Sequence, residues 1–220
     1  MSEKQKHELS SYYILGVFVA LNVVMAIAFS LPVLDLAVSI TGVAYMAVLS
    51  KRSVFNFLVS IINVLLYVVI CFNTRLYGEV ILYLAFDIPM TFIAFFSWRK
   101  VMDKALTVNA RILSNVWLIV LPIVLAIFTL FYGLFLKHIG GEFVFIDALS
   151  TGITIVATLL LWKRFREQWY GWIMVYAVSI TMWVMAGNLL MITMSAGCLI
   201  FSVTGLIEWR RNSCKLVDRK

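Results

Sequence analysis

The sequence predicts an all-α membrane bundle of eight transmembrane helices, and three observations predict it. Of 220 residues, 63% are hydrophobic and 13% charged, with a mean hydropathy of +1.00, far outside the composition of soluble domains. The apolar residues gather into eight runs, at about 11–30, 33–50, 54–72, 77–98, 112–134, 145–162, 168–186 and 189–207. Of the 18 Lys and Arg residues, 16 fall in the loops and termini of one membrane face.

A hydrocarbon core about 30 Å thick is crossed by roughly 20 helical residues or roughly ten tilted strand residues. Runs of this length without sustained alternation select helices, and the short connections leave no room for a large catalytic domain outside the membrane. The first run admits a second reading. Lys4 and Lys6 precede it and Ala26-Ile27-Ala28 has the small-x-small form of a signal-peptide cleavage site, but its length and the diluting Glu3 and Glu8 favour a retained helix.

Eight crossings place both termini on one side. That side holds Lys4, Lys6, Lys51, Arg52, Arg99, Lys100, Lys104, Arg111, Lys163, Arg164, Arg166 and the basic residues from Arg210 onward, and only Arg75 and Lys137 fall opposite. The positive-inside rule therefore predicts cytoplasmic termini. The formal charge of +7 is explained by this bias. The basic residues form no stripe or tail of the kind that binds a nucleic acid polymer. Cys71, Cys198 and Cys214 have neither metal spacing nor a CxxC pair, so no metal, cofactor or disulfide framework is expected.

The chain repeats internally. A shift of 112 pairs Asp35 with Asp147, Ser39 with Thr151, Lys51 with Lys163 and Arg52 with Arg164, and a shift of 111 lays Trp98-Arg99-Lys100 on Trp209-Arg210-Arg211. Helices two to four thus recur as helices six to eight, entering the membrane from the same side, with helix five restoring direction. The expected organisation is an N-terminus and extra helix (1–32), a three-helix unit (33–100), a linker helix (101–144), a second unit (145–211) and a tail (212–220). Such 3 + 1 + 3 parallel repeats are a transporter plan, with cargo held between the halves.

The region from about 33 to 211 resembles the PnuC family of bacterial vitamin transporters, relatives of the SWEET sugar transporters. The resemblance is carried by Leu76-Tyr77-Gly78-Glu79, Ile88-Pro89-Met90, Trp98-Arg99-Lys100, Trp169-Tyr170-Gly171-Trp172, Gly187-Asn188, Gly205 and Trp209. It implies a homotrimer in the bacterial inner membrane that takes up nicotinamide riboside, or a related vitamin such as thiamine, without ATP hydrolysis. Trapping would follow by phosphorylation inside the cell. The chain departs from the family pattern at Ser195, where a Trp is common, and near Phe201, where an Asn is common. Those departures bear on the cargo and leave the fold untouched.

Polar groups inside transmembrane helices are costly unless they meet partners, a cavity or a substrate, so their faces mark a candidate pathway. On helix three, Asn56, Ser60, Asn63 and Tyr67 share one face, suited either to hydrogen-bonding a ribose or carboxamide or to holding helices together. On helix four, Glu79, Tyr83, Asp87 and Thr91 are spaced by four. Asp87 lies about halfway across without a basic neighbour on its helix, so Asp87 or Tyr83 is expected to face a cationic vitamin ring, the alternative being a structural hydrogen bond to a neighbouring helix.

On helix seven, Trp172, Tyr176, Ser179 and Trp183 align. The deeper Tyr176 and Trp183 suit cation–π contact, whereas Trp98, Trp162, Trp169, Trp172 and Trp209 are expected in the interfacial belt. On helix eight, Asn188, Ser195 and Ser202 line one face, with Asn188 equally suited to N-capping. The substrate-binding set expected is therefore Asn56, Ser60, Asn63, Tyr67, Tyr83, Asp87, Tyr176, Ser179, Trp183, Asn188 and Ser195.

Asp35 and Asp147 are expected to cap helices or pair between the units. No HExxH, GxSxG, SxxK or phosphate-loop motif supports an enzyme. The function read from the sequence is facilitated diffusion of a small cationic vitamin nucleoside by alternating access.

Overall fold

The computed structural model describes residues 3–104, 106–114 and 116–217. Its long elements are helical. They are α1 (Glu3–Ala28), α2 (Val33–Ser50), α3 (Asn56–Asn73), α4 (Tyr77–Arg99), α5 (Val116–His138), α6 (Val144–Trp162), α7 (Gln168–Ala186) and α8 (Leu189–Val217). Among the described residues, seven helices are long and apolar enough to cross a membrane, and α1 adds a shorter apolar stretch, Tyr12–Ala28. Boundaries follow local chemistry. Pro32 precedes α2, where its missing N–H is harmless. Gly187 adopts φ 71° to end α7, and Asn188 N–H returns to Trp183 O at 3.1 Å.

Helix α4 is interrupted by a π-helical turn at Tyr83–Asp87. Pro89 follows, and without an N–H it cannot donate back into the preceding turn. The extra residue that a π turn inserts rotates everything beyond it about the helix axis.

Six helices pack in a closed ring, in the order α2, α3, α4, α6, α7, α8 and back to α2. Outside the ring, α5 packs on α6, and α1 packs on α2 and α8. Asn22, buried on α1, binds both neighbours. Its Oδ1 accepts from Ser39 Oγ of α2 and Thr193 Oγ1 of α8, each at 2.8 Å. The ring of Phe18 packs against Gly197 of α8, where a Cβ would lie 2.6 Å from Phe18 Cζ.

Asp35 and Asp147, at matched positions, hold the starts of α8 and α4. Asp147 accepts from the Gly78 and Glu79 backbone N–H groups at 2.8 and 3.1 Å, and Asp35 accepts from Asn188 Nδ2 at 2.7 Å. Both act as the sequence suggested.

At the end of the ring rich in basic residues, the segment between α4 and α5 runs as a strap. Val54 N–H donates to Leu106 O and Val108 N–H to Arg52 O, at 3.1 and 3.3 Å. Further along, Arg111 N–H donates to Arg164 O and Arg166 N–H to Arg111 O, at 2.8 and 3.0 Å. The bridges formed, Ser53 with Thr107 and Phe165 with Arg111, use residues 53 and 165, which the 112-residue shift matches. Arg52 and Arg164 both adopt positive φ there. Burial lowers the pKa of each guanidinium from its ordinary value, and the neighbouring Arg111 adds to this at Arg164.

One expectation is overturned here. Trp98, Trp169 and Trp209 are fully buried, so they are core residues where the sequence suggested an interfacial belt. Spacing along one helix does not show which face turns inward. Trp162 remains half-buried, with Lys163 Nζ 3.8 Å from its ring centroid.

Candidate functional site

A pocket opens inside the ring, lined by Gly42 of α2, Asn63 and Tyr67 of α3, Glu79 and Tyr83 of α4, Trp172, Val175, Tyr176 and Ser179 of α7, and Met194 of α8. The space between these side chains is about 40 Å³, room for about two or three waters and too little for a nucleoside. Gly42 keeps its wall thin, because a Cβ there would lie 2.7 Å from Met194 Sδ and 3.3 Å from Asn63 Nδ2.

Four of the ten lining residues are aromatic: Tyr67, Tyr83, Trp172 and Tyr176. Tyr67 packs edge-on against Tyr83, centroids 5.4 Å apart, and against Trp183 at 5.9 Å. Trp172 and Tyr176 stack with centroids 6.3 Å apart and an interplanar angle of 26°. Faces of this kind attract a cationic ring.

The charged group of the pocket is Glu79. It is buried, and its Oε1 accepts from Ser150 Oγ of α6 at 2.6 Å, with Tyr83 a second hydrogen-bond neighbour. The ion pairs among the described residues, Arg75–Glu142 and Arg166–Glu167, lie elsewhere. Glu79 is thus held by neutral donors and lacks a cationic side-chain partner among the described residues. A buried carboxylate so placed favours a proton or a cation beside it.

Of the residues expected to bind cargo, Asn63, Tyr67, Tyr83, Tyr176 and Ser179 line the pocket. Asn63 also joins helices, its Nδ2 donating to Val38 O at 2.9 Å and Thr41 Oγ1 at 3.0 Å. Trp183 lies one layer behind, against Tyr67.

The other five lie off the lining. Asn56, the first residue of α3, donates its Nδ2 to Ser53 O of the preceding loop at 2.6 Å. Ser60 is buried outside the pocket. Asn188 pairs with Asp35 and accepts from Met191 N–H at 3.2 Å as an N-cap. Ser195 bonds Met191 O of its own helix at 2.9 Å. Asp87 faces α6, where Thr158 Oγ1 donates to it at 3.2 Å. Glu79 and Asp87 thus both bond α6, at Ser150 and Thr158, and only Glu79 reaches the pocket lining.

Gly42, Trp172, Val175 and Met194 were not anticipated in the pocket, and Glu79 was noticed only as a member of a stripe. Trp172 carried a usable signal in its four-residue spacing from Tyr176. Gly42, Val175 and Met194 carried none, because apolar residues within apolar runs are silent.

Comparison with known proteins agrees with this architecture. Residues 32–211 match the model of the family described as nicotinamide mononucleotide transporter. A nicotinamide riboside transporter PnuC of Neisseria mucosa is 32% identical over 193 residues, covering 82% of this chain and 72% of that protein. The Haemophilus influenzae protein of the same name is 30% identical over 183 residues, covering 82% and 78%. A crystal structure of the vitamin B3 transporter PnuC superimposes with a TM-score of 0.83 at 27% identity, covering 98% of this chain and 99% of the other. The chain is therefore a multi-pass membrane transporter, not an enzyme, and belongs to the PnuC family.

Proposed function

We propose that the protein carries nicotinamide riboside down its gradient, with Glu79 as the counter-charge to the pyridinium ring. The observation that carries this reading is the placement of one buried carboxylate, free of basic side chains, on the wall of a pocket that also presents four aromatic rings. A pyridinium stacked among Tyr67, Tyr83, Trp172 and Tyr176 would sit beside Glu79, while Asn63 and Ser179 offer partners to the carboxamide and ribose. The relatives' names support the same cargo.

In this reading the contracted pocket is one state of an alternating-access cycle, and binding requires the ring to expand. The chain crosses the bacterial inner membrane eight times with both termini in the cytoplasm, as its basic residues indicate. Units 33–100 and 145–211 rock against each other as 3 + 1 + 3 repeats, and the protomer assembles as a trimer.

A thermal-shift series with nicotinamide riboside, thiamine, riboflavin and a sugar tests the cargo, because stabilisation follows RT ln(1 + [L]/Kd). Nicotinamide riboside is expected to give the largest shift, and downhill exchange of unmodified nucleoside in liposomes is expected to follow. A larger shift with thiamine would reassign the cargo.

A further inference from the structure

Toward the basic end of the ring lies a second aromatic cluster that takes no part in the pocket. Trp98 of α4 and Trp209 of α8 meet with centroids 6.1 Å apart. Phe57 of α3 packs edge-on against Trp98 at 5.0 Å, and Trp169 of α7 against Trp209 at 5.9 Å. The sequence shifts match residue 57 with 169 and residue 98 with 209. The box therefore takes equivalent side chains from four helices of the ring and closes its end.

This closure is unusual for a packed core. The Nε1 atoms of Trp98, Trp169 and Trp209 are buried without acceptors. Asn56 Oδ1 and Gln168 Nε2, on matched residues adjacent in sequence to Phe57 and Trp169, are buried and unpartnered as well. Native interiors satisfy nearly all such groups. These groups gain water as a partner when the box parts, which lowers the cost of opening it.

The strap bears on how far the box opens. It holds loop 52–54 through Leu106 and Val108 and loop 164–166 through Arg111, and Arg52 Nη1 adds a bond to Val108 O at 2.9 Å. From Val108 to Arg111 the chain advances three residues, a reach of at most about 11 Å. The two loops can part no further than this while both attachments hold.

We infer that the aromatic box is the cytoplasmic gate of the transporter, shut in this structure, and that segment 106–113 is the latch that limits its opening. The inference rests on the transport reading above and uses none of the pocket residues.

The test follows opening without cargo. With Cys71, Cys198 and Cys214 replaced, an Asn56→Cys reporter is labelled by a membrane-impermeant maleimide in inside-out vesicles, beside an exposed Lys100→Cys control. Three residues, Gly-Ser-Gly, are then inserted between Asn109 and Ala110. The lengthened strap, with every attachment kept, is expected to speed labelling severalfold with an unchanged melting temperature. Equal rates in the two chains, or faster labelling only through a lowered melting temperature, overturn the latch. A reporter labelled as fast as the control at native strap length overturns the gate. Labelling needs no ligand, so normal gating in a protein that fails to bind nicotinamide riboside counts against the pocket reading alone.

Discussion

Ser150 Oγ donates to Glu79 Oε1 at 2.6 Å, joining α6 to α4 at the edge of the pocket. The bond crosses between the two matched halves of the chain, so the carboxylate proposed to meet cargo is also part of the contact along which those halves meet. Asp147 strengthens the same seam through Gly78 and Glu79 backbone N–H groups. Movement along the seam and occupancy of the pocket therefore act on the same side chain.

Asp87→Asn is expected to leave binding nearly intact. Asp87 faces Thr158, and the amide oxygen of Asn accepts the same hydrogen bond. Nicotinamide riboside affinity measured by calorimetry should stay within about threefold of wild type, under 1 kcal/mol. A loss of about tenfold or more would return Asp87 to the binding site.

Trp172→Ala should weaken binding by roughly 1–2 kcal/mol, about 5- to 30-fold, by removing the ring stacked on Tyr176. Trp162→Ala, half-buried and off the pocket, should not change affinity. Equal effects of the two substitutions in a binding assay would refute the distinction between the pocket face and the membrane belt.

Asn22→Ala removes the acceptor shared by Ser39 and Thr193 and leaves buried hydroxyl groups with fewer partners. A cost of about 1–3 kcal/mol is expected, seen as a lowered melting temperature in detergent. An Ala variant that melts with wild type would show that α1 is not held by this contact.

The helices and their order were legible because length and apolarity decide membrane crossing almost alone. The shifts that pair Asp35 with Asp147 and Trp98 with Trp209 also pointed to residues that do related structural work. Tyr67 and Tyr176 were legible because they lie on regular helical faces, and Tyr83 because its four-residue spacing from Glu79 ends where the π turn begins. Asp87 takes the structural alternative, a hydrogen bond from Thr158 of α6, which residue spacing along one helix does not distinguish from a cargo contact. Trp172 was assigned by depth, although the face it presents is set by packing across the ring. Met194 and Gly42 enter the site through shape, which one sequence does not display.

The most direct measurement is the affinity of Glu79→Gln for nicotinamide riboside and for its neutral dihydro form. Gln keeps an acceptor for Ser150 and removes the charge. The cationic nucleoside should bind at least about tenfold more weakly, about 1.4 kcal/mol, while the neutral form is little changed, so that the preference for the cation collapses. A Glu79→Gln protein that binds the cation as tightly as wild type, with the preference intact, would contradict the assignment of Glu79 as the counter-charge.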